Sequence, residues 1–165
     1  MAITAISILK NNNFKISDKD ISRGLINVKW AGRLQIIGSS PKIIIDAAHN
    51  PDGVDKSIKT IQDIFSYRKV FVIVGICKNK NYKRMMKTIC TIADQIIAVK
   101  PATHRALKPD ILMKEALLYG KQVIKFENIQ NGVEYALTHT DSEDLILGIG
   151  SHYTIGEILN YYKKA

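Results

Sequence analysis

Six short runs dense in Ile, Val and Leu recur along the chain, with helical patterns between most of them. This alternation limits the fold more than any other feature. The runs are 34–38, 42–46 (KIIID), 69–75 (KVFVIVG), 94–99 (DQIIAV), 122–126 (QVIKF) and 144–149 (DLILGI). Strand side chains point alternately to the two faces of a sheet, so a nearly continuous apolar run belongs to a sheet covered on both sides. The intervening helical patterns, at 52–65, 81–92, 109–119, 129–138 and 152–162, have the length that carries right-handed parallel crossovers. Residues 34–46 differ. Only Gly38-Ser39-Ser40-Pro41 joins their two strands, too short a link for a parallel crossover, so an antiparallel pair at the sheet edge is expected. The predicted fold is α/β: an open, mostly parallel sheet with an antiparallel edge strand and helices on both faces. Ahead of it, Ala2 to Lys10 reads as one amphipathic helix. A second, capped by Ser17 or Asp18, carries Ile21 and Leu25 on one side. A boundary near 28–33 then divides a helical lead-in, 1–30, from an α/β domain, 31–165.

Composition narrows the class. With 165 residues, 46% hydrophobic and 24% charged, the chain suits one globular domain with a full core and not a disordered tail or a fibre. No apolar run approaches the roughly 20 residues of a spanning helix, so no membrane partner is expected. The opening MAITAISILKNNN shows no basic leader or small-residue cleavage site and reads as a helix. Cys77 and Cys90 are too few for a disulfide framework and fit no zinc spacing; two reduced thiols in a cytoplasmic protein are expected. The net charge of +9 attracts anions of any kind. Yet Lys78, Lys80, Lys83, Arg84 and Lys87 are scattered singly or in pairs, with no aromatic-and-basic module, so nucleic acid is not an expected partner.

In an open parallel sheet, ligands bind beyond the carboxyl ends of the strands. Strand 42–46 ends on Asp46, followed by His49 and Asn50-Pro51. The Asn-Pro pair starts a helix, with Asn50 as cap and Pro51 where a missing N–H costs nothing. Asp46 could accept hydrogen bonds from a sugar or cap its own loop, and His49 could act on a ligand or be a satisfied, partly buried ring. Spacing leaves both open. After strand 144–149, Ser151 is a ready N-cap, and the free N–H groups of a helix start would suit a carboxylate or phosphate. The pair Gly148 and Gly150 fails as a dinucleotide fingerprint, because Tyr153 occupies the third glycine position. Lys78 and Lys80 follow strand 69–75, His104 and Arg105 follow strand 94–99, and Arg33 precedes the first strand. No spacing suggests a nucleophile–His–acid triad, and no metal-ligand helix is present. Nor is there a Gly-x-x-x-x-Gly-Lys-Ser/Thr loop, so this stretch would not cradle nucleotide phosphates by itself.

These residues carry a resemblance. WAGRLQII…PKIIIDAAHNPDGV resembles the Trp-Pro-Gly-Arg-Leu-Glu…Asp-Gly-Ala-His-Asn-Pro segment of the bacterial folylpolyglutamate synthase/dihydrofolate synthase family, within the Mur ligase superfamily. VFVIVGICKNKNYKRMM is similar to its Gly-x-x-x-Asp-Lys-Asp-x-x-x-Met segment, PATHRAL to its Pro-x-x-x-Arg-Ala segment, and GIGSHYTIGEIL to its Gly-Ser-x-Tyr-x-x-Gly-Glu ending. The four motifs occur in order and cover 30–162 most firmly. Ala31 and Ala47 replace the usual Pro and Gly. Asn79 and Asn81 flank Lys80 where the family has acids, which puts any family role of that loop in question.

The resemblance implies a Rossmann-like Mur ligase C-terminal domain whose P-loop, magnesium ligands and most of the folate site lie on a missing N-terminal partner domain. It implies an ATP-dependent ligase that adds L-glutamate to folate or dihydropteroate through an acyl phosphate, with ATP and Mg2+ as cofactors and no protein nucleophile. Catalysis would then rest on positioning and charge neutralisation. On this reading Asp46 holds the ATP ribose and Arg33 reaches the nucleotide phosphates. His49 faces the reacting phosphate and the incoming glutamate as the catalytic residue, and Ser151 helps to bind glutamate. No protein residue here is a metal ligand, and the isolated chain would be inactive. Another Mur-type amino-acid ligase is the alternative, and a non-catalytic basic binding module a weaker one.

Overall fold

Hydrogen bonds from side chain to backbone set where most helices begin. In the computed structural model, which describes residues 2–28 and 30–164, the chain forms two units, Met1–Ala31 and Gly32–Ala165. The first contains α1 (Ala2–Asn11) and α2 (Asp18–Ile26). Ser17 and Asp20 form a capping box at the start of α2: the Asp20 N–H donates to Ser17 Oγ at 3.1 Å, and the Ser17 N–H donates to Asp20 Oδ2 at 3.0 Å. Neither helix buries a residue, and Ile8, Phe14, Leu25 and Ile26 stand exposed.

The second unit runs β1 (Gln35–Ser39), β2 (Lys42–Asp46), α3 (Pro51–Ile64), β3 (Val70–Val74), α4 (Tyr82–Ile92), β4 (Gln95–Val99), α5 (Pro109–Leu117), β5 (Gln122–Phe126), α6 (Ile129–His139), β6 (Leu145–Ile149) and α7 (His152–Lys164). One six-stranded sheet has the order β1-β2-β6-β3-β4-β5. The β1–β2 pair is antiparallel, and every other pairing is parallel. The sheet is therefore the open, mostly parallel one expected, with its antiparallel strand at the edge. Asn50, Asn81 and Asn128 cap α3, α4 and α6, each accepting from the backbone N–H three residues on.

Alternation along each strand divides the core into two layers. Ile44, Val70, Val72, Val74, Leu145 and Leu147 pack with α3, α4 and α5 on one face. Ile43, Ile45, Phe71, Ile73 and Ile146 pack with α6 and α7 on the other. Element ends differ slightly from expectation, for local reasons. β1 starts one residue late because Leu34 adopts φ +41°, outside the extended region. α5 stops at Leu117, followed by a turn through Gly120 at φ +67°.

At the amino ends of the two central strands, Arg68 clasps Asp144. Its Nε and Nη2 donate to the two carboxylate oxygens at 3.0 and 3.1 Å, and Nη2 also meets Asp141. Only 1% of the Asp144 side chain is exposed, and the Arg68 hydrogen bond holds its carboxyl below the usual range. No helix among the described residues is long and apolar enough to cross a membrane.

Two outcomes follow from the packing. Leu147→Ala empties a fully buried position on a central strand and should cost about 2–5 kcal/mol in denaturant unfolding. The Arg68–Asp144 contribution is present above the carboxyl's unfolded pKa and is lost as pH falls through its lower folded value. The melting temperature of Arg68→Ala should therefore lie furthest below the native protein's near pH 7, and the gap should close toward pH 3.

Candidate active site

The carboxyl end of β2 is held by a buried acid. Asp46 Oδ1 accepts from the Ala48 N–H at 2.8 Å, and Oδ2 accepts from the Leu34 N–H at 3.3 Å and the Ser57 hydroxyl at 3.2 Å. The Ala47 N–H donates to Gly32 O at 2.7 Å. These bonds tie the turn that carries Arg33 to the end of β2 and hold Leu34 in its left-handed conformation. A carboxylate offers about four acceptor positions, so three protein donors leave Asp46 little capacity for anything else. His49 sits half-buried beyond it. Its Nδ1 lies 2.9 Å from Ala47 O. A carbonyl can only accept, so Nδ1 is the donor in this contact and Nε2 is left for other partners.

β6 and β3 end against one another. The Thr154 hydroxyl donates to Gly75 O at 2.9 Å, the Gly75 N–H donates to Ile149 O at 3.3 Å, and the Gly150 N–H donates to Ala48 O at 3.2 Å. Gly150 has φ +115°, and a Cβ there would lie 2.7 Å from Gly75 O; a Cβ on Gly75 would lie 2.4 Å from Thr154 Oγ1. Only glycine fits either place. Ser151 is buried, and its Oγ caps α7 by accepting from the Thr154 N–H at 3.1 Å. The N–H groups of His152 and Tyr153, at the open end of α7, have no backbone partner among the described residues.

The loops after β3 and β4 are zipped together. The Lys78 N–H donates to Arg105 O at 2.8 Å, the Leu107 N–H donates to Ile76 O at 2.9 Å, and Cys77 bridges Ala106. Arg105 reaches Asn79 Oδ1 at 3.4 Å.

All four strand ends contribute to one cavity of about 290 Å3, lined by His49, Cys77, Lys80, Arg105, Ser151 and His152 among others. Among the described residues, neither Lys80 nor Arg105 forms an ion pair with a carboxylate. The cavity is therefore an unneutralised cationic hollow at the mouth of a helix, an arrangement that suits carboxylate or phosphate oxygens. The His49 and His152 rings lie 4.9 Å apart, tilted by 47°. Desolvation, then the charges of His49, Arg33 and Lys80, lower the His152 pKa; Asp46 opposes them. No group of three His, Cys, Asp or Glu residues among the described ones is placed to hold a metal.

Of the residues singled out from sequence, His49 and Ser151 line the cavity, while Asp46 stands behind it as the organiser of the loop. Arg33 is exposed outside the wall, near enough for its charge to act on His152. The sequence assigns no role to Lys80, Arg105 or His152 and marks Cys77 only as a reduced thiol. Each follows or caps an element at a strand's carboxyl end, which was the available signal, but the pairing of the β3 and β4 loops brings them together.

This geometry defines a mostly parallel α/β domain with a cationic cavity at the carboxyl ends of its strands. The family described as Mur ligase, glutamate ligase domain, matches residues 32–152, and the chain belongs to it. It is 30% identical over 159 residues to the dihydrofolate synthase/folylpolyglutamate synthase of Buchnera aphidicola subsp. Acyrthosiphon pisum, covering 96% of this chain and 38% of that protein. Its fold is that of Escherichia coli FolC in complex with DHPP and ADP (TM-score 0.89, 20% identity, 98% of this chain and 38% of that one). A bifunctional folylpolyglutamate synthase/dihydrofolate synthase with Mn, AMPPNP and L-glutamate bound is also similar (TM-score 0.84, 22% identity, 95% and 37%). The chain thus spans little more than a third of each of these three proteins.

Asp46→Ala should destabilise the domain by about 2–3 kcal/mol in chemical denaturation, because it strands two backbone donors at the β2 exit. Asp46→Asn, which keeps one acceptor oxygen, should fall between it and the native protein.

Proposed function

We propose that this chain is the C-terminal part of an ATP-dependent ligase that adds L-glutamate to folate or dihydropteroate, and that it supplies contacts to ATP and to glutamate. The observation that carries this reading is the cavity where Lys80 and Arg105, both without carboxylate partners among the described residues, meet His49 and the start of α7. L-Glutamate brings two carboxylates that need such charges. The family match and the likeness to glutamate ligases support the choice of amino acid.

ATP, when bound, supplies the phosphoryl group that activates the acceptor carboxylate. On this chain, Arg33 would neutralise nucleotide phosphates, and the loop held by Asp46 would frame the ribose, with any direct contact made by that acid's remaining acceptor position. His49, with Nδ1 fixed on Ala47 O, would present Nε2 toward the reacting phosphate and the incoming amine. Ser151 would act chiefly by capping α7 and so presenting its first N–H groups to a glutamate carboxylate. No described residues here fit Mg2+. Its ligands, the phosphate-cradling loop and most of the acceptor site would lie on an N-terminal partner domain. The exposed apolar residues of α1 and α2 suit the end of such a domain. The reaction would run in the cytoplasm, and the chain alone would not turn over.

The test is turnover by the enzyme with its upstream domain in place, using dihydropteroate and reduced folate as separate acceptors. Lys80→Ala and Arg105→Ala should each raise the KM for L-glutamate about 10- to 100-fold, the size of a lost charged hydrogen bond, and Arg33→Ala should instead weaken the use of ATP. Undiminished turnover in all three would sink the assignment. Turnover only with a different acceptor would point to another Mur-type amino-acid ligase.

A further inference from the structure

His152 is the cavity residue whose charge the ligand itself could decide. Its ring belongs to the first residue of α7 and lies against His49, from the β2–α3 loop, at 4.9 Å. Lys80 from the β3–α4 loop and Arg105 from the β4–α5 loop share the cavity wall, and Arg33 from the turn before β1 adds its field. The positive end of the α7 dipole adds to these. Among the described residues the only acid acting on the ring is Asp46, and its oxygens already accept from Ala48, Leu34 and Ser57. The His152 ring is exposed to solvent on one side, and the burial and positive charge on its cavity side disfavour a proton while the cavity holds no anion. An entering carboxylate or phosphate reverses that balance, since it cancels the surrounding positive charge and offers the imidazolium an acceptor.

We propose that His152 is a ligand-gated positioning residue: it stays neutral in the empty cavity and takes up a proton when an anionic group binds there. The cavity then carries one more cationic contact when occupied than when empty. Affinity for the anion rises as pH falls through the titration of the occupied site. In the Gly-Ser-x-Tyr ending, this residue stands at the unspecified position after Ser151. The proposal rests on reading the cavity as an anion site. The two candidate sources of anionic oxygen, the amino acid's carboxylates and a nucleotide phosphate, are separable by choice of probe.

The experiment follows the imidazole nitrogens and backbone amides of the 15N-labelled chain by NMR between about pH 5.5 and 8.5. Spectra are taken with no addition, with L-glutamate, and with sulfate, which stands for phosphate oxygens and does not titrate in this range. The His152 midpoint should rise by about one unit with at least one probe, and affinity for that probe should fall up to about tenfold from pH 6 to pH 8. A response to glutamate alone assigns the site to the amino acid; a response to sulfate alone assigns it to a phosphate. His152→Gln should still bind the same probe, with a shallower pH dependence than the native chain. Amide shifts at Lys80 and Arg105 with an unmoved His152 midpoint would overturn this proposal and leave the anion site standing. No response at any cavity residue to either probe would overturn both.

Discussion

The carboxyl edge of the sheet depends on the approach of Gly75 to Gly150. Two strand ends can close to this distance only where neither carries a Cβ, and the Thr154 hydroxyl then bridges the gap to Gly75 O. The same hydroxyl lies 2.8 Å from Ser151 Oγ, so the strand junction and the cap of α7 form one network. From that junction the start of α7 is carried toward His49, and the Gly150 N–H fastens the β2 loop through Ala48 O. A side chain at either glycine would part β3 from β6. It would also move His49, Ser151 and His152 relative to Lys80, with no change in the residues themselves. The cavity is in this sense a property of backbone packing, and its side chains are positioned by it.

Much of this architecture is legible in the sequence. β2 and β5 occupy the residues that apolar periodicity assigns to them, and the link across residues 38–41 is short enough to force the antiparallel edge. Asn50-Pro51 announces α3 because cap chemistry is local. What escapes a linear reading is whatever depends on loops from distant strands. Lys80 and Arg105 meet because Cys77 pairs with Ala106 across the β3 and β4 exits, and no spacing encodes that bridge. Asp46 and Ser151 escape differently. Residue type marks both as polar groups at strand ends, but whether such a group faces ligand or protein depends on its donors. Asp46 meets three and is turned inward, while Ser151 caps the backbone of its own helix and still lines the cavity.

The charge balance also separates into two kinds. Arg84 bridges Asp52 and Asp55 between α3 and α4, Lys125 meets Asp110, and Arg68 clasps Asp144; these cations are spent on the fold. Lys80 and Arg105 are not. An excess of nine positive charges spread over a surface raises association with anions generally, but it selects none. Selection needs unneutralised charge inside a concave, partly desolvated site, where each interaction is stronger than in bulk water. The Asn79 side chain bears on this. Where the resemblance would place an acid, a neutral amide meets Arg105, and the guanidinium keeps its full charge for whatever enters.

Such a site fits the proposed completion by a partner domain. It holds no nucleophile–base pair, no metal cluster among the described residues and no phosphate loop, yet it offers donors on several loops around one hollow. Chemistry that proceeds by positioning and charge neutralisation does not need all its groups on one domain. It needs them to arrive in register when two surfaces close, with water excluded as they do. Splitting the groups between domains has a physical consequence: a half-site with unpaired cations binds anions weakly in the open state and gains strength only on closure, when the local dielectric falls. A histidine that gains its proton only with the ligand fits that logic. It adds little repulsion to the empty half-site, and it contributes a full charge when the ligand is present to use it.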